Sequence, residues 1–144
     1  MARPISHSLM LALRGCPEFA SLSDSELLDV VGMSANLRWK AGQVVFEKDS
    51  AADGLYIVLN GRVQIFDADD ADRPVVAEAG PGESFGELSL LLHTTHTLGA
   101  RAVEDTELMV VTKSCFQELM ATHPDLAKHF RRKLSERLPG LKSG

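Results

Sequence analysis

Between residues 35 and 112 the chain is built from short apolar runs, each cut off by glycine, proline or aspartate. Gln43-Val44-Val45-Phe46, Leu55-Tyr56-Ile57-Val58-Leu59 and Arg62-Val63-Gln64-Ile65-Phe66 are followed by runs at residues 74–79, 99–103 and 107–112. Runs of this length, several rich in Val, Ile and aromatics, read as strands rather than helices. The third alternates polar and apolar residues, which puts one face on a core. Asn60-Gly61 tolerates positive φ at both turn positions and predicts a tight hairpin. Pro81-Gly82 predicts a further turn, and the acidic stretch at residues 67–72 another. Short strands at this spacing predict an antiparallel β-sandwich, jelly roll or barrel.

Helical patterns flank this region. Ser23-Asp24-Ser25-Glu26 is a capping box, in which the serine hydroxyl and the glutamate side chain satisfy each other's backbone. Leu27, Leu28, Val30 and Val31 follow at helical spacing, and Gly32 is the expected stop. Cys16-Pro17 marks the join to an earlier helix. After Thr112, Phe116, Leu119 and Met120 form one helix face. His123-Pro124-Asp125 then opens a longer helix, with proline at its first position and an acid at the positive end of its dipole. Leu126, Phe130, Leu134 and Leu138 make one apolar stripe, and Pro139-Gly140 is the expected end. The expected organisation is one domain over residues 1–144: a helical lead at 1–34, a β-roll at 35–112 and C-terminal helices at 113–138.

A chain of 144 residues fits one domain, and 44% apolar residues suffice for a core. The net charge of -5 argues against a large nucleic-acid footprint, which needs a basic surface. Cys16 and Cys115 are far apart, with no C-x-x-C spacing, so a reduced intracellular protein is expected. The apolar patch at residues 9–13 is interrupted by Arg14, so neither a signal peptide nor a membrane span is read, and a cytoplasmic location follows.

The chemistry concentrates in Pro81-Gly82-Glu83-Ser84-Phe85-Gly86-Glu87-Leu88-Ser89-Leu90-Leu91. Gly86 allows close backbone approach, and a helical turn starting there aims free amides at an anion. Glu87 beside it can accept from sugar hydroxyls. The same segment also reads as a plain surface turn of a β-protein.

Phe85-Gly86-Glu87-Leu88-Ser89-Leu90-Leu91 resembles the phosphate-binding cassette of cyclic-nucleotide-binding domains, found in the catabolite activator protein family, in kinase regulatory subunits and in nucleotide-gated channels. Ala41-Gly42-Gln43-Val44-Val45-Phe46, Asp53-Gly54-Leu55-Tyr56-Ile57-Val58, Gly61-Arg62-Val63-Gln64-Ile65 and Gly99-Ala100-Arg101-Ala102 resemble other strands of that family. The likeness covers about residues 22–138.

The resemblance implies a mainly β fold with flanking α: an eight-stranded antiparallel β-roll of jelly-roll type, an N-terminal helix and C-terminal helices. It implies that Glu87 accepts from the ribose 2′-hydroxyl, that the Gly86, Glu87, Leu88 and Ser89 backbone surrounds the sugar-phosphate, and that the last helix lids the base. The expected ligand site is Phe85, Gly86, Glu87, Leu88, Ser89, His96 and Thr97, with a cyclic nucleotide (cyclic AMP or cyclic GMP) as ligand and no metal.

One position departs from the family. The arginine that pairs with the cyclic phosphate falls, without gaps, on His96. Thr97 falls where a small or hydroxyl residue contacts phosphate or base. Histidine lacks the permanent charge and the fork of arginine. A hydrogen bond to a charged group contributes about 1.5–3 kcal/mol, so its loss weakens binding roughly tenfold to a hundredfold. Affinity is therefore expected to rise as pH falls through about 6.5, the ordinary histidine value. Arg101 is not expected to replace the charge, because strand alternation sets it opposite Ala100 and Ala102.

Other candidates are weaker. His93 and His96 form H-x-x-H, but no third metal ligand is fixed nearby. The aspartates at 67, 69, 70 and 72 lack the glycine and distal glutamate of a calcium loop and read as a solvated tip. Cys115 reads as core, and no activating group is visible in the sequence beside Cys16. Trp39 and Tyr56 read as packing residues, with base stacking the lesser role. No nucleophile motif surrounds Ser84 or Ser89, so no enzyme activity is expected. Lys128, Arg131, Arg132, Lys133 and Arg137 make the last helix basic: a solvated face, or a surface for an acidic partner.

The sequence thus predicts a ligand-sensing regulatory module that signals through its C-terminal helix. That helix packs on the roll, or pairs with a second copy or a partner protein. The alternative is a degenerate β-roll that no longer binds cyclic nucleotide and serves interaction or dimerisation. No DNA-binding or membrane segment is read in residues 1–144.

Overall fold

The computed structural model describes residues 5–67, 72, 74–87, 90 and 95–142, without the side chains of 5–8, 133, 134 and 136–142. Helix α1 (Ile5–Arg14) leads through a 3-10 turn (Pro17–Phe19) to α2 (Asp24–Gly32). The strands are β1 (Ser34–Trp39), β2 (Val44–Phe46), β3 (Gly54–Asn60), β4 (Val63–Phe66), β5 (Val75–Ala79), β6 (Ser84–Phe85), β7 (Gly99–Ala102) and β8 (Thr106–Thr112). Helices α3 (Lys113–Thr122) and α4 (Pro124–Lys142) follow.

The strands form two antiparallel four-stranded sheets, ordered β1-β8-β3-β6 and β2-β7-β4-β5. The mainly β roll with flanking helices is therefore the observed fold. β3 reads as an unbroken apolar run because both of its faces are covered. Leu55 and Ile57 point into a core shared with Leu13, Phe19, Leu27, Phe116, Leu126 and Phe130 of the helices. Tyr56 and Val58 point the other way, into the roll, against Val63, Ala79, Phe85, Ala100 and Leu108. β4 alternates: Val63 and Ile65 face the roll interior, while on the other face Gln64 is half-buried and Phe66 is buried beneath Arg101.

The Asn60-Gly61 expectation is corrected. β3 and β4 lie in different sheets and do not pair. β3 pairs instead with β8 and β6, and Gly61 carries the chain across. Gly61 has φ +94, and a Cβ there would sit 2.4 Å from Thr106 Oγ1 and 2.6 Å from the Asp105 carbonyl oxygen. Of the two residues Gly61 alone takes a positive φ, while Asn60 remains in β3, and that angle serves a close passage between sheets rather than a hairpin. The acidic stretch does join paired strands: Phe66 faces Val75, and Asp67 N–H donates to the Pro74 carbonyl at 3.0 Å. Residues 68–71 lie outside the described residues.

The helix ends follow their local signals. Ser23 Oγ accepts from Glu26 N–H, and Glu26 returns the bond to Ser23 N–H. The other Glu26 oxygen lies 3.3 Å from His123 Nε2, joining α2 to the junction between α3 and α4. Thr112 caps α3 through Cys115 N–H, and Lys113 N–H donates to the Asp53 carbonyl at 2.8 Å. Phe130 meets Phe19 and Phe116 edge-on at 6.1 and 5.2 Å. The expected stop at Pro139-Gly140 is also corrected, since α4 continues helically to Lys142. Proline removes a single amide donor, and close to a helix end few turns depend on it.

Candidate functional site

The cassette starts from a turn fastened to β3. Gly82 N–H donates to the Val58 carbonyl, and Val58 N–H donates to the Glu83 carbonyl, both at 2.9 Å. The Glu83 carboxylate turns back to accept from Gly80 N–H at 2.8 Å. β6 then pairs Ser84 with Ile57 and Phe85 with Tyr56. Gly86 follows with φ +86, and a Cβ on it would lie 3.1 Å from Tyr56 Cδ2. The turn thus requires glycine for its backbone angle and for its clearance over Tyr56.

Glu87 comes next, only 1% exposed, and both Glu87 and Leu90 have helical backbone. Leu90 is buried in the same core as Leu126 and Phe130 of α4, so the cassette and the C-terminal helix share packing. Leu88, Ser89 and His93 of the sequence expectations lie outside the described residues.

His96 is 2% exposed, and its ring lies flat on Phe46, with centroids 3.6 Å apart and planes 4° from parallel. Its backbone clasps the loop after β2: His96 N–H donates to the Ser50 carbonyl at 2.9 Å, and Asp49 N–H donates to the His96 carbonyl at 2.7 Å. Asp49 takes φ +71 in that loop. His96 Nε2 has no hydrogen-bond partner among the described residues. Burial pushes the imidazole below its ordinary value, and the Asp53 carboxylate pulls weakly the other way.

An aromatic wall connects these residues. Phe46 lies 5.4 Å from Tyr56 and 5.9 Å from Phe85, and Tyr56 stacks on Phe85 at 5.2 Å. Phe85, Gly86 and His96 are thereby brought to one cluster through Phe46 and Tyr56. Thr97 is not part of it and is exposed. Tyr56 is buried as a packing residue, and burial, helped by Asp53, raises its phenol. Phe46 was not among the expected site residues. Its only sequence signal was its place in an apolar run ahead of a loop.

Arg101 sits where the alternation put it. Its guanidinium reaches Gln64 Oε1 at 3.4 Å and covers the Phe66 ring at 5.4 Å, while Ala100 and Ala102 are buried. Up to Arg132, the apolar face of α4 packs through Leu126 and Phe130 on the helical lead, not over the roll interior. The lid implied by the family resemblance is therefore not formed by these residues, and the side chains of Leu134 and Leu138 lie outside the described ones. Lys128, Arg131 and Arg132 are exposed. A cleft of about 600 Å³ opens beside Trp39, Asn60 and Thr106, and none of the expected site residues lines it. Among the described residues no group of three metal-ligating side chains occurs, and no helix is long and apolar enough to cross a membrane.

The cyclic nucleotide-binding domain family model matches residues 36–123. The lysophospholipase NTE1 of Chaetomium globosum is 36% identical over 106 residues, which is 73% of this chain and 7% of that protein. The chain thus spans about 7% of the length of the curated relatives it matches. Among solved structures, the catabolite activator protein of Thermus thermophilus superposes with a TM-score of 0.75 at 29% identity, covering 88% of this chain and 60% of that one. The sensor domain of the transcriptional regulator DNR from Pseudomonas aeruginosa superposes with a TM-score of 0.83 at 19% identity, covering 96% and 93%.

Proposed function

The chain belongs to the cyclic nucleotide-binding domain family, and from that premise we propose that it is a cytoplasmic regulatory module that binds cyclic AMP or cyclic GMP at the cassette and signals through α4. One observation carries the reading: Gly86, at φ +86 over Tyr56, hands the chain directly to a buried Glu87 in a helical turn. A turn of this form presents amides to an anion and a carboxylate to sugar hydroxyls. Phe85, Gly86, Glu87, Leu88, Ser89, His96 and Thr97 are the proposed contact residues, and the module works by binding rather than catalysis.

Two contacts support an output through the C-terminal helices. Leu90 shares its core with Leu126 and Phe130. Asp53 ties the loop beside His96 to the first turn of α3. A ligand that moves the cassette would bias both. The receiver would be a second copy, a partner protein or a further domain joined to this one.

A second reading is favoured by the mutual contact of the Phe46, Tyr56, Phe85 and His96 rings. If they fill the interior, the roll is an interaction or dimerisation domain without ligand. Calorimetric titration with cyclic AMP and cyclic GMP separates the two. The ligand-binding reading expects saturable heat with at least one nucleotide, lost in Glu87→Ala. No heat from the wild type and none from His96→Arg would favour the filled roll.

A further inference from the structure

His96 presents a buried ring nitrogen without a partner among the described residues, inside the cluster that adjoins the cassette. An imidazole in that position is held neutral, because a proton on it would be an uncompensated buried charge. Among the described residues, the elements packed around it supply no free cation. β2 offers the Phe46 face, and β3 offers Tyr56. The loop between β2 and β3 carries Glu47, Lys48, Asp49 and Asp53, of which Lys48 pairs with Asp49 at 3.5 Å. The cassette adds the buried Glu87. Arg101 is turned outward onto Gln64 and Phe66.

We propose, resting on the ligand-binding reading above, that this site takes its anionic ligand together with a proton on His96, so that occupancy reports pH as well as ligand concentration. An anion arriving at Nε2 supplies the countercharge that the buried imidazolium lacks. The proton supplies the charge that neutral histidine lacks. Each therefore favours the other, and by linkage the coupling is reciprocal. Phe46 assists as a positioning residue. Its face holds the ring in place and attracts the cation once it forms. The ordinary histidine value applies to an exposed ring; burial of His96 moves the free protein's transition below it.

The test is calorimetry of the chain with cyclic AMP and cyclic GMP as probes, from pH 5.5 to pH 8, in buffers of different ionisation enthalpy. The wild type is expected to lose about tenfold in affinity per pH unit above the histidine transition and to take up close to one proton per nucleotide bound there. His96→Arg is expected to bind with a flat pH profile and no proton uptake. The His96 imidazole, followed by NMR, should titrate below about 6.5 in the free protein and higher with nucleotide present. Wild-type binding that is equally tight at both ends of the range overturns the proton coupling and leaves the ligand-binding reading standing. Binding by His96→Arg when the wild type binds at no pH overturns both: the roll is open, but the natural chain does not take the nucleotide. Absence of binding by both proteins at every pH overturns the ligand-binding reading, and the proton coupling with it.

Discussion

The rings of Phe46 and His96 are stacked face to face, 3.6 Å apart and 4° from parallel, so β2 and the segment after the cassette bury each other. His96 owes its low exposure in part to this one contact. Replacing Phe46 with leucine removes the flat surface and loosens the cover. The imidazole should then titrate closer to its ordinary value of about 6.5, read from its ring-proton shifts in an NMR pH series. Stability should fall by about 1 kcal/mol, because Phe46 is only partly buried. An unchanged imidazole titration would show that other neighbours exclude the water.

Burial of His96 also sets a sign for stability against pH. Its folded-state value lies below its unfolded value. Between the two, the unfolded chain binds more protons, so stability is complete above about pH 6.5 and declines as pH falls toward the folded value. His96→Gln removes this component. Urea midpoints of the wild type should therefore drop further than those of the variant between pH 7 and pH 5.5. Parallel pH profiles would assign the acid sensitivity to other groups.

Gly86 meets two demands at once, a positive φ and clearance over Tyr56. Gly86→Ala should cost about 1–2 kcal/mol in unfolding free energy from the backbone angle. Its Cβ would also press on the Tyr56 ring and shift the cassette. Nucleotide affinity should fall at least about tenfold, measured by titration at pH 5.5. Retained affinity would detach the cassette from ligand binding.

Phe130 is fully buried between Phe19 and Phe116. Phe130→Ala should destabilise the fold by about 3–5 kcal/mol, the usual cost of a large core deletion. Amide exchange in α4 should accelerate more than in β3 or β8, because Leu126, Ala127 and Phe130 are the buried side chains among those described in α4. Uniform acceleration would mean that α4 unfolds only with the whole domain.

Local chemistry was legible wherever it was self-contained. The capping box at Ser23 and Glu26, the outward Arg101 and the proline start of α4 all follow from neighbouring residues. Pairing was not, because it is decided at a distance. Asn60-Gly61 announces positive φ, but β3 is claimed by β8, whose packing surface lies far along the chain. β1 gave no signal because Ser34–Trp39 is an edge strand, largely exposed on both faces, with no alternation to read. At the site, the sequence singles out His96 only through the family resemblance, as the position where an arginine is expected. The Phe46 stack was not legible, since it joins two segments that meet only when the roll closes.

The placement of β1 reaches beyond the finished fold. Ser34 meets Val111 and Trp39 meets Thr106, so the first strand finds its partner in the last. During synthesis β1 emerges early and waits, its edge open, until β8 is released. Such distant pairing raises contact order, which slows folding and prolongs exposure of unpaired edges. Its exposed Asn36 and Arg38 are polar interruptions that discourage wrong neighbours in that interval. The same arrangement leaves the first sheet incomplete until β8 is available, whereas β6 of the cassette needs only β3 for its pairing.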